Sequence, residues 1–320
     1  MLDSPSKVAI FGIGNIGRRH LDSLVSKNFD IYLFDKSEDN LSYAKHNFLT
    51  DKIKSISQSI TDIDVNLDLA IISTDSKNRL ELLKYIHKEV VVKKWLVEKL
   101  LASNLKELAA YSNLPFKDNV WVNVPRRRMQ CWNLIREEIV KSDIEHVKIS
   151  GSNWGLATNS IHFINLFEWF SNINISEINL LNLPHRWYPS KRKGYLEVDG
   201  IFECNFANFF RIELIQNIEC SEFIEIEILT GKGLYKIKMD NWDLVFTYPN
   251  SSSRSLKEDL ISESSGSIAQ DILIESKDIK LPKLEDSLRV HKILITSYQA
   301  SFAARSTIYE KDLKLEFFLT

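Results

Sequence analysis

Gly12-Ile13-Gly14-Asn15-Ile16-Gly17 joins the apolar run Lys7 to Phe11 to a stretch of helical patterning, and Asp35 closes the next apolar run. Glycines at this spacing have distinct uses: Gly12 permits a tight turn, Gly14 omits the Cβ that would collide with a pyrophosphate, and Gly17 lets helix and strand approach. The helix amides then meet the phosphate charge. The pattern alone is weak, but a strand before it, a helix after it and an acid at the end of the next strand make it specific for a dinucleotide. Ile13, Asn15 and Ile16 complete the expected cofactor-binding turn. Asp35 is suited to accept both ribose hydroxyls of NAD and to repel the 2'-phosphate of NADP. NAD is therefore the expected cofactor, and NADP stays the alternative because Lys36 and Lys45 offset that repulsion.

These residues need a parallel sheet beneath them. Lys7–Phe11, Phe29–Phe34, Asp68–Ser73, Val90–Val97 and Asn119–Val124 read as strands, nearly continuous apolar runs suited to burial on both faces. Between them, helices are expected over Asn15–Lys27, around Leu80, Leu83 and Ile86, and over Leu100–Tyr111. Repeated strand and helix units imply right-handed crossovers.

After Pro125 the pattern changes. Helices are predicted over Met129–Val140 and Asn159–Phe170, then strands over Tyr195–Gly200, Phe202–Phe206, Arg211–Gln216, Phe223–Thr230 and Leu234–Met239. Their period-two alternation indicates an antiparallel sheet. Pro249–Ser255 and Ser262–Ser267 read as loops, and the last helix covers Leu284–Ala300. The expected fold class is α/β: an N-terminal Rossmann domain with a parallel sheet, residues 1–125, plus a C-terminal α+β domain with a predominantly antiparallel open sheet, residues 126–320. The C-terminal helix is a candidate to pack back near the first domain.

Composition limits the remaining classes. At 320 residues and 44% hydrophobic content the chain can fill two cores. Its 41 basic and 43 acidic residues give no global positive field, so nucleic-acid binding is not expected. Arg126-Arg127-Arg128 and Lys191-Arg192-Lys193 read first as solvated charge, with an anionic ligand as the alternative. Cys131, Cys204 and Cys220 form neither a disulfide framework nor a metal pattern. No metal is expected. Neither a secretory leader at the amino terminus nor a membrane span is legible, so the expectation is a cytoplasmic protein without membrane partners.

The chain resembles the glucose-fructose oxidoreductase and inositol dehydrogenase family along nearly its whole length. The resemblance runs from GIGNIGRRH at Gly12–His20 through LAIISTDSKNR at Leu69–Arg79, LVEKLLAS at Leu96–Ser103 and GLATNSIHFINLFEWF from Gly155, to the terminal KLEDSLRVHKILITSYQAS. It implies catalytic roles for Lys99, beside nicotinamide and substrate, and for His162, exchanging the hydroxyl proton. It makes Glu98, Lys99, Thr74 and Asp75 cofactor-side residues. The chemistry agrees: oxidising a secondary alcohol leaves an oxygen that must lose its proton, best to a group titrating near neutrality. A lysine can stabilise the alkoxide.

The chain departs from the family's pattern at four positions. Thr158 stands where the family has an aspartate one helical turn before its histidine, Leu100 and Asp75 replace prolines, and Arg79 replaces a frequent histidine. The implied function is an NAD(P)-dependent oxidoreductase acting on a sugar, sugar nucleotide or polyol. Arg126, Arg127, Arg128 and Arg186 are candidate phosphate ligands if that substrate is phosphorylated or nucleotide-linked. Two alternatives remain: a non-catalytic dinucleotide-binding regulatory or structural protein, and a redox-neutral sugar-modifying enzyme using NAD transiently. A homodimer or homotetramer is expected, since an open sheet can pair face to face.

Overall fold

The computed structural model describes residues 4–140, 143–180, 185–207, 209–240, 243–256, 261–276 and 279–304, without the side chains of 261–264. Met1 to Asp3, part of the amino-terminal segment read above, lie outside the described residues. In chain order the first elements are β1 (Ser6–Phe11), α1 (Asn15–Val25), β2 (Phe29–Phe34), α2 (Glu38–Asn47), β3 (Ile53–Ser57), β4 (Leu67–Ile72), α3 (Arg79–Glu89), β5 (Val92–Glu98), α4 (Leu105–Ala110) and β6 (Val120–Asn123). Then follow α5 (Gln130–Ile139), β7 (Ile144–Gly151), α6 (Leu156–Ser171), β8 (Glu177–Leu180), β9 (Arg186–Pro189), β10 (Leu196–Phe206), β11 (Phe210–Gln216), β12 (Ile224–Thr230), β13 (Gly233–Asp240), β14 (Asp243–Thr247), β15 (Ser253–Leu256), α7 (Ile261–Leu273) and α8 (Leu284–Ala303).

The chain forms two compact units, one of residues 1–102, 109–125 and 259–288, the other of 103–108, 126–258 and 289–320. This differs from a single break after Pro125, because 259–288 returns to the first unit. The reason is packing: Ile268, Ala269 and Ile272 of α7 share a buried core with Leu21, Leu24, Val8 and Ile10. Ser262–Ser267, expected as a loop, belongs to α7. Small residues there allow close approach; a Cβ on Gly266 would lie 2.8 Å from the Ser23 carbonyl oxygen. Serine disfavours an exposed helix, but tertiary packing overrides that preference here.

The first unit carries a six-stranded sheet in the order β3-β2-β1-β4-β5-β6, every neighbouring pair parallel. Val8, Ala9, Ile10, Leu69, Ala70, Ile71, Leu96 and Val97 are fully buried, as continuous apolar strands covered on both faces require. Strand order reverses between β1 and β4, so the loops leaving the carboxyl ends of these two strands diverge and open a crevice. The helix expected over Leu100–Tyr111 is shorter. Leu100, Leu101 and Ala102 are buried outside any helix, and α4 begins only after Asn104, whose side chain accepts from Glu107 N at 2.8 Å.

The second unit is built on a nine-stranded sheet, ordered β15-β14-β13-β12-β7-β11-β10-β8 with β9 paired to β10. Most pairs are antiparallel. The β7–β11 pair is parallel, which makes the sheet mixed. The two strands expected around Gly200 are one, β10, continuing through that glycine at φ +149°. β15, which takes in Ser253–Ser255 of the expected loop Pro249–Ser255, pairs with β14. Ile226, Ile228, Ile237 and Met239 point into the core, and α6 lies against β10 and β11.

Candidate functional site

The glycine turn leaves β1 at the strand-order reversal. Gly12 has φ +97°, a conformation that L side chains rarely adopt. Gly17 approaches so closely that a Cβ on it would sit 1.8 Å from the Gly12 carbonyl oxygen, whereas a Cβ on Gly14 would meet nothing within 4 Å. Gly14 thus faces open space at the start of α1, which has no side-chain cap. Ser73, just after β4, donates to the Gly12 carbonyl at 2.6 Å and tethers the turn. Thr74 stands against Gly12, and its Oγ1 is buried without a hydrogen-bond partner. An open cradle, an uncapped helix start and an orphaned hydroxyl all fit a dinucleotide's phosphates. Asp75 is exposed.

Asp35 directly follows β2 and does more than the sequence assigned to it. Its carboxylate accepts from Ile13 N at 2.5 Å, Asn40 Nδ2 at 3.0 Å and Ser37 N at 2.8 Å. The acid therefore joins the glycine turn to the start of α2, using three of the roughly four acceptor positions a carboxylate offers. Arg18 strengthens the same corner, donating to the Ile13 carbonyl at 3.2 Å and to Asn40 Oδ1 at 3.0 Å while stacking on Tyr43.

Glu98 and Lys99 leave the carboxyl end of β5, on the same edge of the parallel sheet as the glycine turn. Glu98 is buried and accepts from Asn123 Nδ2 of β6 at 2.5 Å, with His20 Nε2 of α1 at 2.9 Å. Burial opposes its ionisation. The hydrogen bond and charge of His20, the Asn123 amide and the Lys99 charge outweigh that and hold the carboxyl below its ordinary range. Lys99 is half-buried, and its peptide bond to Leu100 is cis.

Arg79, noted in the sequence only as a departure from the family, lies at the centre of this region. Its buried guanidinium donates to the carbonyls of Glu98, Leu100 and Thr74. One planar fork thereby ties the segment after β4 to the segment around Lys99. No sequence signal marks the partners, because all three are backbone carbonyls.

In the second unit His162 is half-buried on α6 between the buried Ile161 and Phe163. The first turn of that helix is capped from the sheet. Gln216 Oε1 accepts from Gly155 N at 2.8 Å and Leu156 N at 3.2 Å. Glu197 of β10 accepts from Ala157 N at 3.0 Å, Thr158 N at 3.1 Å and Thr158 Oγ1 at 2.6 Å. A carboxylate thus stands beside Thr158 although position 158 has none. Sequence reasoning missed Glu197, since 39 residues separate it from Thr158.

Two residues of the arginine run pack within the second unit. Arg126 is buried over the Phe163 ring at 4.3 Å, and burial brings its pKa down to about 10. Arg127 donates to the Asn165 carbonyl at 3.0 Å. Arg186 and the Lys191–Lys193 run are exposed. Among the described residues, no group of His, Cys, Asp and Glu side chains has the arrangement of a metal site, and no helix is long and apolar enough to cross a membrane.

No protein-family model matches the chain, and no curated protein matches its sequence. Solved structures do match its fold. Myo-inositol 2-dehydrogenase from Lactobacillus plantarum aligns at 15% identity and TM-score 0.68, covering 94% of this chain and 98% of that one. The WlbA dehydrogenase from Bordetella pertussis, in complex with NADH and UDP-GlcNAcA, aligns at 13% identity and TM-score 0.69, covering 95% and 97%. A super-repressor mutant of Gal80p from Saccharomyces cerevisiae aligns at 16% identity and TM-score 0.70, covering 94% and 97%. The parallel dinucleotide-type sheet, the mixed second sheet and these matches agree: the chain has the fold of the glucose-fructose oxidoreductase and inositol dehydrogenase family, and it matches multiple dehydrogenases of that family in structure.

Proposed function

We propose that this protein is an NAD(P)-dependent oxidoreductase acting on a carbohydrate-like hydroxyl or ketone, of a sugar, sugar nucleotide or polyol, with NAD preferred over NADP. The observation that carries this reading is the shared edge of the first sheet. Gly14 open at the start of α1, Asp35, Thr74 and the Glu98–Lys99 pair all leave carboxyl ends of parallel strands around the β1/β4 reversal. This is where open α/β sheets bind nucleotides.

Bound there, the nicotinamide supplies hydride acceptance and donation. The protein's part is binding and electrostatics. Amides at the start of α1 hold phosphate, and the remaining acceptor position on Asp35 takes a ribose hydroxyl. Lys99 stabilises negative charge on the reacting oxygen, with the Glu98 carboxylate next to it in the chain. His162 takes up the hydroxyl proton on oxidation and returns it on reduction. A nucleotide-bearing sugar fits this reading because WlbA, of the same fold, is described with UDP-GlcNAcA. We further propose a cytoplasmic homodimer or homotetramer, a reading supported by the buried Cys204 thiol and by the open second sheet.

The test is absorbance at 340 nm with NAD and a panel of polyols, sugars and nucleotide sugars, in wild type, Lys99→Ala and His162→Ala. Turnover in wild type that falls about 100-fold or more in either variant, with NADH affinity retained, supports the assignment. Dinucleotide binding without turnover on any substrate class overturns it in favour of the regulatory reading. That rival has a specific basis: Gal80p shares this fold and is described as a repressor, and fold does not fix chemistry. Product change without net NADH accumulation would instead point to the redox-neutral mechanism.

A further inference from the structure

Glu197 is 7% exposed, and its side chain reaches from β10 to the first turn of α6. Four donors converge on its two oxygens: Thr158 N and Oγ1 on Oε1, Ala157 N and Val198 N on Oε2. That is the pattern of an ionised, acceptor-only carboxylate. The 2.6 Å contact to the Thr158 hydroxyl has the length of a charge-assisted O–H···O⁻ bond. Thr158 and His162 are four residues apart on one helix, so their side chains are neighbours on one face.

We propose that Glu197 is a positioning residue for His162: with Thr158 it puts negative charge on the histidine's face of α6 and strengthens that imidazole as a proton acceptor. The proposal rests on the reading of His162 as the group that exchanges the substrate proton. Capping the helix requires only acceptors, and a neutral amide at position 197 would supply one. Charge is what the capping role leaves unexplained. Burial holds the acid's pKa above its ordinary value, and the Thr158 hydroxyl and the three amides offset only part of that rise.

The titratable groups that feel the Glu197 charge are Tyr188 on β9 and Tyr298 on α8, and Tyr188 also feels Asp199 on β10 and Arg186 on β9. Burial first, then the charges of Asp199 and Glu197, pushes the Tyr188 hydroxyl up, while burial pushes up Tyr298, so both phenols are neutral near neutral pH. Asp199 is engaged with Gln216 Nε2 at 3.1 Å and Tyr188 OH at 3.4 Å. Glu197 is the carboxylate among them that bonds directly to α6.

The experiment is NMR titration of the His162 imidazole in full-length protein labelled at histidine, assigned with His162→Gln. In Glu197→Gln the His162 midpoint is expected to fall by about half a pH unit or more. In Thr158→Asp/Glu197→Gln, which moves the carboxylate onto the helix, it is expected to return toward wild type. Thr158→Val serves if Glu197→Gln does not fold: losing the hydroxyl leaves Glu197 less ionised, and the His162 midpoint falls by a smaller amount. An unchanged midpoint in folded Glu197→Gln, or in Thr158→Val where that variant stands in, overturns the proposal. The titration needs no substrate, so failure to find turnover would count against the oxidoreductase reading and leave this result standing on its own.

Discussion

His20 Nε2 lies 2.9 Å from Glu98 Oε1, which joins the second turn of α1 to the residue before Lys99. Both groups are buried, and Asn123 adds a second donor to the same oxygen. The arrangement links the helix whose amino end faces the phosphate position to the strand end that carries the lysine.

Because this pair holds Glu98 below its ordinary pKa, it stabilises the fold above the unfolded carboxylate value of about 4.3, and the contribution is lost as pH falls through the lower folded value. Wild-type Tm is expected to drop more steeply than that of Glu98→Gln between about pH 5 and pH 3. At neutral pH the variant is less stable by about 1–3 kcal/mol. Parallel Tm profiles would refute the coupling.

The glycines of the turn divide into two kinds. Gly14→Ala adds a methyl to open space at an ordinary φ of −72° and is expected to leave stability within about 0.5 kcal/mol while weakening NADH binding tenfold or more. Gly17→Ala drives a methyl into the Gly12 carbonyl and is expected to destabilise the unit itself. Urea denaturation and NADH fluorescence titration on both variants separate the two effects.

Arg79→Lys keeps the charge and loses the fork that reaches the Glu98, Leu100 and Thr74 carbonyls. The expected cost is about 2 kcal/mol or more by urea denaturation, with kcat lowered through Lys99 and NADH affinity changed less. Equal stability would show that water replaces the lost bonds.

Asp35→Ser removes the repulsion toward a 2'-phosphate and the bond to Ile13 N. NAD affinity is expected to fall and the NAD:NADP preference to shift toward NADP by about tenfold or more. Calorimetry with both nucleotides checks this, and an unchanged ratio would remove Asp35 from cofactor selection.

Arg126→Met replaces a buried cation stacked on Phe163 by an apolar side chain of similar length. If Arg126 is structural, KM for a phosphorylated or nucleotide-linked substrate is expected to stay within about twofold. A tenfold rise in KM for such substrates alone would return Arg126 to the list of phosphate ligands.

The first sheet was legible because its central strands carry near-continuous apolar runs, such as Val8–Phe11 and Leu69–Ile72, so period and glycine spacing carried the information. β7 was missed although it lies mid-sheet between β12 and β11, since His146-Val147-Lys148 alternates too briefly to stand out. α7 was missed because serine reports a local preference that packing on α1 overrides.

By itself, then, the sequence determined the dinucleotide-type turn, Asp35 at its strand end, and two regions of differing periodicity, all properties of short contiguous stretches. Tertiary structure alone decided that residues 259–288 belong with the first unit, that Arg79 grips three carbonyls, that His20 and Asn123 flank Glu98, and that Glu197 stands beside Thr158. Each of these depends on pairing between distant segments, where register and burial select the partner, and neither is written in the spacing of neighbouring residues.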